Sequence, residues 1–221
     1  MSVQFLSTYS PLLPLILFLI FSLKKSRPEL KVIFLYILYA FGNDLYTTNT
    51  VYGRNHIFAF LAVYTIIEYL MVSTFIWLSL SGKALKMIIV FLSIGFVTYM
   101  IIYMIRSDKT KFDSIPSSVE DILLMMYCIL YMFEQIAKPQ IGFIYATPNF
   151  WVVLAFFVYT SSTLFLFITT SSLSEDEQAK YWVINQISNI VSNILISIAF
   201  ILNPKSQKNP DYPDDNYLNT V

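Results

Sequence analysis

The basic residues punctuate this chain. All 14 Lys and Arg lie in the C-terminal tail or between, or at the edges of, seven apolar stretches. The stretches run at about 5–23, 30–48, 57–80, 85–105, 118–136, 150–170 and 181–202. At ~1.5 Å per residue, helices of that length match a ~30 Å hydrocarbon core. Charged residues make up 13% of the 221, against about 25% in a soluble domain. The pattern predicts an all-α, polytopic membrane protein: a seven-transmembrane-helix bundle over 1–202 with a tail over 203–221. The tail is rich in Pro, Asn and Asp and has no apolar face, so it is expected to be disordered.

Orientation follows from charge. No Lys or Arg precedes the first segment, and Lys24, Lys25 and Arg27 follow it. That is the reverse of a secretory signal, so an uncleaved first span with its N-terminus outside is expected. Pro11 and Pro14 should kink it. With the N-terminus outside, Lys24, Lys25, Arg27, Lys31, Lys83, Lys86, Lys138, Lys205 and Lys208 are cytoplasmic. Arg54, Arg106, Lys109, Lys111 and Lys180 are external. Nine against five favours N-out, C-in, in a bacterial inner (cytoplasmic) membrane crossed several times. Trp77, Trp151 and Trp182 fall near span ends, as an aromatic belt places them. The fourth segment is almost purely apolar and should be the most lipid-exposed.

Composition also excludes. Zero net charge leaves no nucleic-acid footprint. One cysteine, Cys128, and one histidine, His56, permit neither an internal disulfide nor a multi-ligand metal centre. Cys128 reads as a buried small hydrophobe. No metal or cofactor is predicted. A nucleophile needs a His or Lys beside it, and no such pairing is evident, so no catalytic residues are assigned. A retinal Schiff base would need a lysine inside the last span, and Lys180 lies outside it.

The polar residues within the spans carry the functional reading. In the seventh segment Asn185, Asn189, Asn193 and Ser197 are four apart, and Ser188 and Ser192 widen the same face. At 3.6 residues per turn this is one stripe, and it cannot face lipid. Glu68 lies ~17 Å along the third segment and Asn193 ~18 Å along the seventh. They are expected to share a layer near the midplane, at the end of a polar cavity open to the outside. Tyr64, Glu68, Tyr159, Asn185, Asn189, Asn193, Asp44 and His56 are the candidate ligand or cavity residues. Each has a plainer reading. Glu68 would be a neutral acid locking the third helix to the seventh through Asn193, Asn189 or Tyr64. The Asn stripe would be interhelical glue, and Asp44 and His56 would be solvated at the rim. Thr160–Thr163 would bond their own backbone. Ser117 and Glu120 read as a capping box opening the fifth helix. Glu120, Tyr127, Tyr131 and Glu134 share a face of that helix, Glu134 being solvated or paired with Lys138.

Three stretches carry a resemblance: Val63-Tyr-Thr-Ile-Ile-Glu-Tyr69, Pro148-Asn-Phe-Trp-Val-Val-Leu-Ala-Phe-Phe-Val-Tyr159, and the seventh segment from Tyr181 to Leu195. Together the chain resembles small bacterial seven-helix proteins of the Bacteroidetes type, whose unit is similar to the membrane sensor region of some histidine kinases. The resemblance implies a receptor-like module that signals through a separate partner such as a histidine kinase, since the sequence ends at Val221 without a kinase domain. A small proton-linked transporter or channel, with Asp44, Glu68 and Glu134 as an acid relay, is the alternative. Phe41-Gly-Asn-Asp-Leu-Tyr46 is similar to a stretch of lysoplasmalogenase-like membrane hydrolases. A lipid hydrolase on Asp44 and Glu68 is therefore a distant third reading, disfavoured by the ~10 Å between their depths.

Overall fold

The computed structural model describes residues 2–22, 26–49, 54–106, 115–137, 144–170 and 175–202, with side chains except at 2, 48–49, 54–59, 170 and 175–180. The expected tail, 203–221, lies outside the described residues. The elements are α1 (Ser2–Tyr9), α2 (Leu12–Leu17) with a π-helical turn at Phe18–Ser22, α3 (Pro28–Asn49), α4 (Arg54–Ser79), α5 (Lys83–Arg106), α6 (Ile115–Ala137), α7 (Pro148–Thr170) and α8 (Glu175–Ile201), with a 3₁₀ turn at Ile144–Ala146. The first apolar segment is thus α1, α2 and the π turn; the other six are α3 to α8. Six of the segments are long and apolar enough to cross a membrane, which is compatible with a multi-pass membrane protein. The seventh, α3, is as long but carries Glu29, Lys31, Asn43 and Asp44. Helices overrun the apolar stretches, α8 starting at Glu175 rather than Tyr181. Hydropathy marks what lipid can cover, whereas helical hydrogen bonding continues into the polar flanks.

Six segments close a ring. The first packs on α3 and α8, α3 on α4, α4 on α6, α6 on α7, and α7 on α8. The remaining helix, α5, lies outside against α4 and α6. Only 17% of its membrane-length window is buried, against 33–39% for the other five. Met87, Phe91, Ile94 and Ile105 point outward from it.

Because successive helices reverse direction, the ring has two dissimilar halves. The half away from the N-terminus is dry. Phe18 stacks on Phe34 at 4.4 Å and meets Phe200 edge-on at 4.9 Å. Ile33, Val72, Phe75, Ile76, Val152 and Val153 are fully buried with them. In lipid such packing gains dispersion and fit rather than hydrophobic burial, since acyl chains are as apolar as Leu. The half nearer the N-terminus carries the Asn stripe, Glu68, Glu120 and Asp121, while Ser22, Glu29, Glu134, Gln135 and Asn149 are buried toward the far end of the other half.

The prolines break the first segment as expected, and the break has a use. Neither proline can donate a backbone hydrogen bond, and α1 ends at Tyr9 before α2 begins at Leu12. Ser7 and Ser10 are turned toward α8 there. Asn189 Nδ2 donates to Ser7 Oγ at 3.1 Å, and Asn193 Nδ2 donates to Ser10 Oγ at 2.9 Å.

Two expectations for α6 need correction. Ser117 does not cap it: the helix already runs from Ile115, with Pro116 in its first turn, where proline's fixed φ is well suited. Glu120 instead turns into the bundle. Glu134 is not solvated, and Lys138, its other expected partner, lies outside the described residues. Glu134 is 8% exposed and accepts from Ser81 N at 2.9 Å and from Gly82 N. These donors lie at the start of α5, where helical backbone leaves N–H groups without partners. A Cβ on Gly82 would stand 2.8 Å from Glu134 Oε1. Glu134→Ala should therefore destabilise the chain by about 1–3 kcal/mol, the range for leaving buried donors unpaired. Gly82→Ala should cost stability only while Glu134 is present. Thermal unfolding of the two single variants and the double variant in detergent checks this; additive losses would contradict the contact.

Candidate functional site

The polar half of the ring holds a chamber in two compartments. The larger, about 410 Å³, lies between α1, α3, α4, α7 and α8. Its wall includes Ser7, Tyr36, Asn43, Asp44, Asn189 and Asn193, and the exposed Gln4 and Trp182 stand at its rim. The smaller, about 220 Å³, lies between α4, α6, α7 and α8 and is lined by Glu68, Glu120, Asp121, Phe156 and Thr163 among others. Leu61, Tyr64, Tyr159, Trp182 and Asn185 line both and form the partition.

Each polar wall has a local cause in the sequence. In α6 the buried residues are Glu120, Asp121, Leu124, Tyr127, Cys128, Tyr131, Glu134 and Gln135. Three- and four-residue spacing puts them on one face. In α7 the hydroxyls mostly serve the helix itself. Thr160 donates to Phe156 O at 2.8 Å, Ser161 to Phe157 O at 2.6 Å, Ser162 to Val158 O at 2.9 Å and Thr163 to Tyr159 O at 2.6 Å. That back-bonding hides hydroxyls in apolar surroundings.

Glu68 is 7% exposed and sits where the chamber meets the dry half. Tyr36 Oη donates to its Oε1 at 2.7 Å, and Tyr64, one turn before it in α4, lines the same compartment. Asn193, the partner foreseen across the bundle, is used by Ser10 and by Asn189, whose O and Oδ1 accept at 2.9 and 3.0 Å. Tyr36 was missed as a site residue. Counting ~1.5 Å per residue from the helix ends on the chamber side, Asn49 and Arg54, puts Tyr36 about 20 Å deep and Glu68 about 21 Å deep. The depth was readable, but an aromatic on an apolar helix gives no sign that its hydroxyl is needed.

Glu120 and Asp121 are the less provided. They are 5% and 6% exposed. Among the described residues Glu120 Oε1 and Asp121 Oδ2 accept no hydrogen bond, and Asn185 Oδ1 at the partition accepts none either. Thr163 has one hydroxyl proton, directed at Tyr159 O, so its 3.4 Å approach to Asp121 Oδ1 is a weak contact. No Lys or Arg lines either compartment among the described residues.

Of the sequence candidates, Tyr64, Tyr159 and Asn185 line both compartments, Asp44, Asn189 and Asn193 the larger, and Glu68 the smaller. The side chain of His56 lies outside the described residues. Among the described residues no group of three or more His, Cys, Asp or Glu is arranged to hold a metal ion. No protein-family model, curated protein or solved structure matches the chain.

A chamber reached from the N-terminal side should admit water-soluble reagents to its walls and not to the dry half. In a Cys128→Ser background, Asn185→Cys should react with a charged methanethiosulfonate at least about ten-fold faster than Ile76→Cys. Ile76 is fully buried, and thiol reactivity follows access and thiolate formation. Equal rates would remove the chamber.

Proposed function

We propose that this protein is a receptor-like module of the bacterial inner membrane, N-terminus outside, that binds a small ligand in the chamber and passes the change to a separate signalling protein such as a histidine kinase. The observation that carries the ligand-binding part is the chamber itself. Side chains from the first segment, α3, α4, α6, α7 and α8 converge on two joined compartments. A few fixed polar groups in a largely pre-formed concavity are what small-molecule sites are made of. The signalling part rests on the resemblance to sensor regions, and the orientation on the nine-to-five distribution of basic residues.

The relay alternative is weakened by two features. Glu134 is held at the start of α5, so it is not a free step beyond Glu68. Between them lie Val72, Phe75 and Ile76, all fully buried and apolar. A chamber closed at one end suits a receptor better than a conduit.

The test uses the full chain in two preparations. In proteoliposomes with an internal pH-sensitive dye, an imposed proton gradient should decay no faster than in empty liposomes; faster decay would favour the transporter. In nanodiscs, a panel of small water-soluble compounds should contain members that raise the unfolding temperature. A ligand at 100 times its Kd adds about 2.7 kcal/mol. That stabilisation should vanish in Leu61→Trp, which narrows both compartments. A gain that survives Leu61→Trp would place binding elsewhere.

A further inference from the structure

The smaller compartment is short of one kind of partner. The unpaired buried atoms on its wall, Glu120 Oε1, Asp121 Oδ2 and Asn185 Oδ1, are all acceptors. Glu68 adds a third carboxyl group, held by the Tyr36 hydroxyl and not by a cation among the described residues. Buried acceptors left without donors are costly, and buried carboxylates more so unless a positive charge joins them. Five aromatic rings, Tyr64, Phe156, Tyr159, Phe167 and Trp182, share the wall with aliphatic and hydroxyl side chains. Rings beside a negative cluster are a setting for an organic cation, which gains from both.

Size and chemistry narrow the occupant. An apolar cavity of about 150 Å³ takes a benzene ring, so 220 Å³ has room for a ring with a short amine arm. A bare metal ion fits poorly, because no three acids among the described residues are grouped to ligate one. A quaternary ammonium would satisfy the rings but would bring no N–H to the orphaned acceptors.

We propose that the smaller compartment binds a small organic ammonium ion bearing N–H donors, with Glu120 and Asp121 as its principal acceptors, Glu68 completing the negative charge and Tyr64, Tyr159 and Trp182 lying against its carbon frame. This rests on the ligand-binding reading above and names its ligand class. The ammonium group supplies the donors that Glu120, Asp121 and Asn185 lack. Its charge offsets carboxylates that no lysine or arginine among the described residues reaches.

The probes are phenethylamine, its neutral analogue 2-phenylethanol and its acidic analogue 3-phenylpropionate, titrated into the full chain in nanodiscs in potassium phosphate free of amines and sodium. Binding is read by unfolding temperature and by the part of the tryptophan emission that is lost in Trp182→Phe. Phenethylamine should bind at least about ten-fold more tightly than 2-phenylethanol, as expected for a charged donor meeting buried acceptors, and 3-phenylpropionate should not bind. The preference should fall to near unity in Glu120→Gln and in Asp121→Asn. If a variant fails to fold, the wild-type preference alone decides. Equal affinity for the amine and the alcohol would overturn the ammonium assignment and leave the chamber as a general ligand site. Stabilisation by sodium over potassium, with nothing added by the amine, would overturn it in favour of an inorganic cation. No binding by any of the three, with Asn185→Cys still labelled, would sink the ammonium assignment alone. The same result with Asn185→Cys unlabelled would sink the ligand-binding reading too.

Discussion

A ring of helices closes only if its first and last members meet, and here that seam is made of amides and hydroxyls. Asn189 and Asn193 of α8 reach Ser7 and Ser10, which the break before Pro11 turns toward them. Interhelical hydrogen bonds in membranes contribute about 0.6 to 2 kcal/mol each. The alternative orientation, with those amides in acyl chains, costs several kcal/mol per group. The second figure is the larger, so the rotation of α8 is fixed mainly by what it avoids. That rotation also brings Asn185 and Trp182 to the partition between the compartments. The chamber is thus a by-product of closing the seam: nearer the rim, Asn185 Oδ1 accepts no hydrogen bond among the described residues.

The same logic explains what could be read from sequence. The apolar stretches and the basic residues between them mark seven helical segments, because both follow from the length of a hydrocarbon core. The Asn stripe and Glu68 had to face inward for the same reason. What the sequence did not disclose was pairing. Helices four residues apart in periodicity look alike whichever neighbour they meet, so Asn193 was matched to Glu68 on depth alone. The structure gives Asn193 to Ser10 and Glu68 to Tyr36. Glu134 was misread for a related reason: its partners are backbone N–H groups of Ser81 and Gly82, which carry no side-chain signature. The pattern Glu120, Tyr127, Glu134 was visible as a face, but not that its two acids serve opposite ends of the bundle.

Tyrosine links the two halves. Tyr36 holds Glu68 at the floor of the chamber, and Tyr69 meets Tyr127 at 2.8 Å and Ser93 at 3.0 Å one position further along α4. Each ring packs like any large apolar group while its hydroxyl satisfies a neighbour, so tyrosine can occupy a boundary between dry and polar layers. Phe156 approaches Tyr36 at 5.3 Å and lines the smaller compartment. The floor is therefore rigid aromatic packing topped by hydroxyls, and a ligand arriving above it meets fixed groups.

The unpaired polar atoms are not spread evenly. Five buried side-chain acceptors or hydroxyls among the described residues lack hydrogen-bond partners. Four of them, on Asn43, Glu120, Asp121 and Asn185, line the two compartments; the fifth, Ser26 Oγ, lies beside α3 at the far end. A fold chosen only for stability would have placed apolar side chains there, since replacing a half-satisfied polar cluster with hydrophobic groups is often neutral or stabilising. The hydroxyls of α7 show that this chain does satisfy polar groups where only its own packing is concerned, each bonding back one turn. Incomplete satisfaction concentrated on the walls of one chamber, at four atoms of the five, is therefore better understood as a demand for an outside donor than as a defect of the fold.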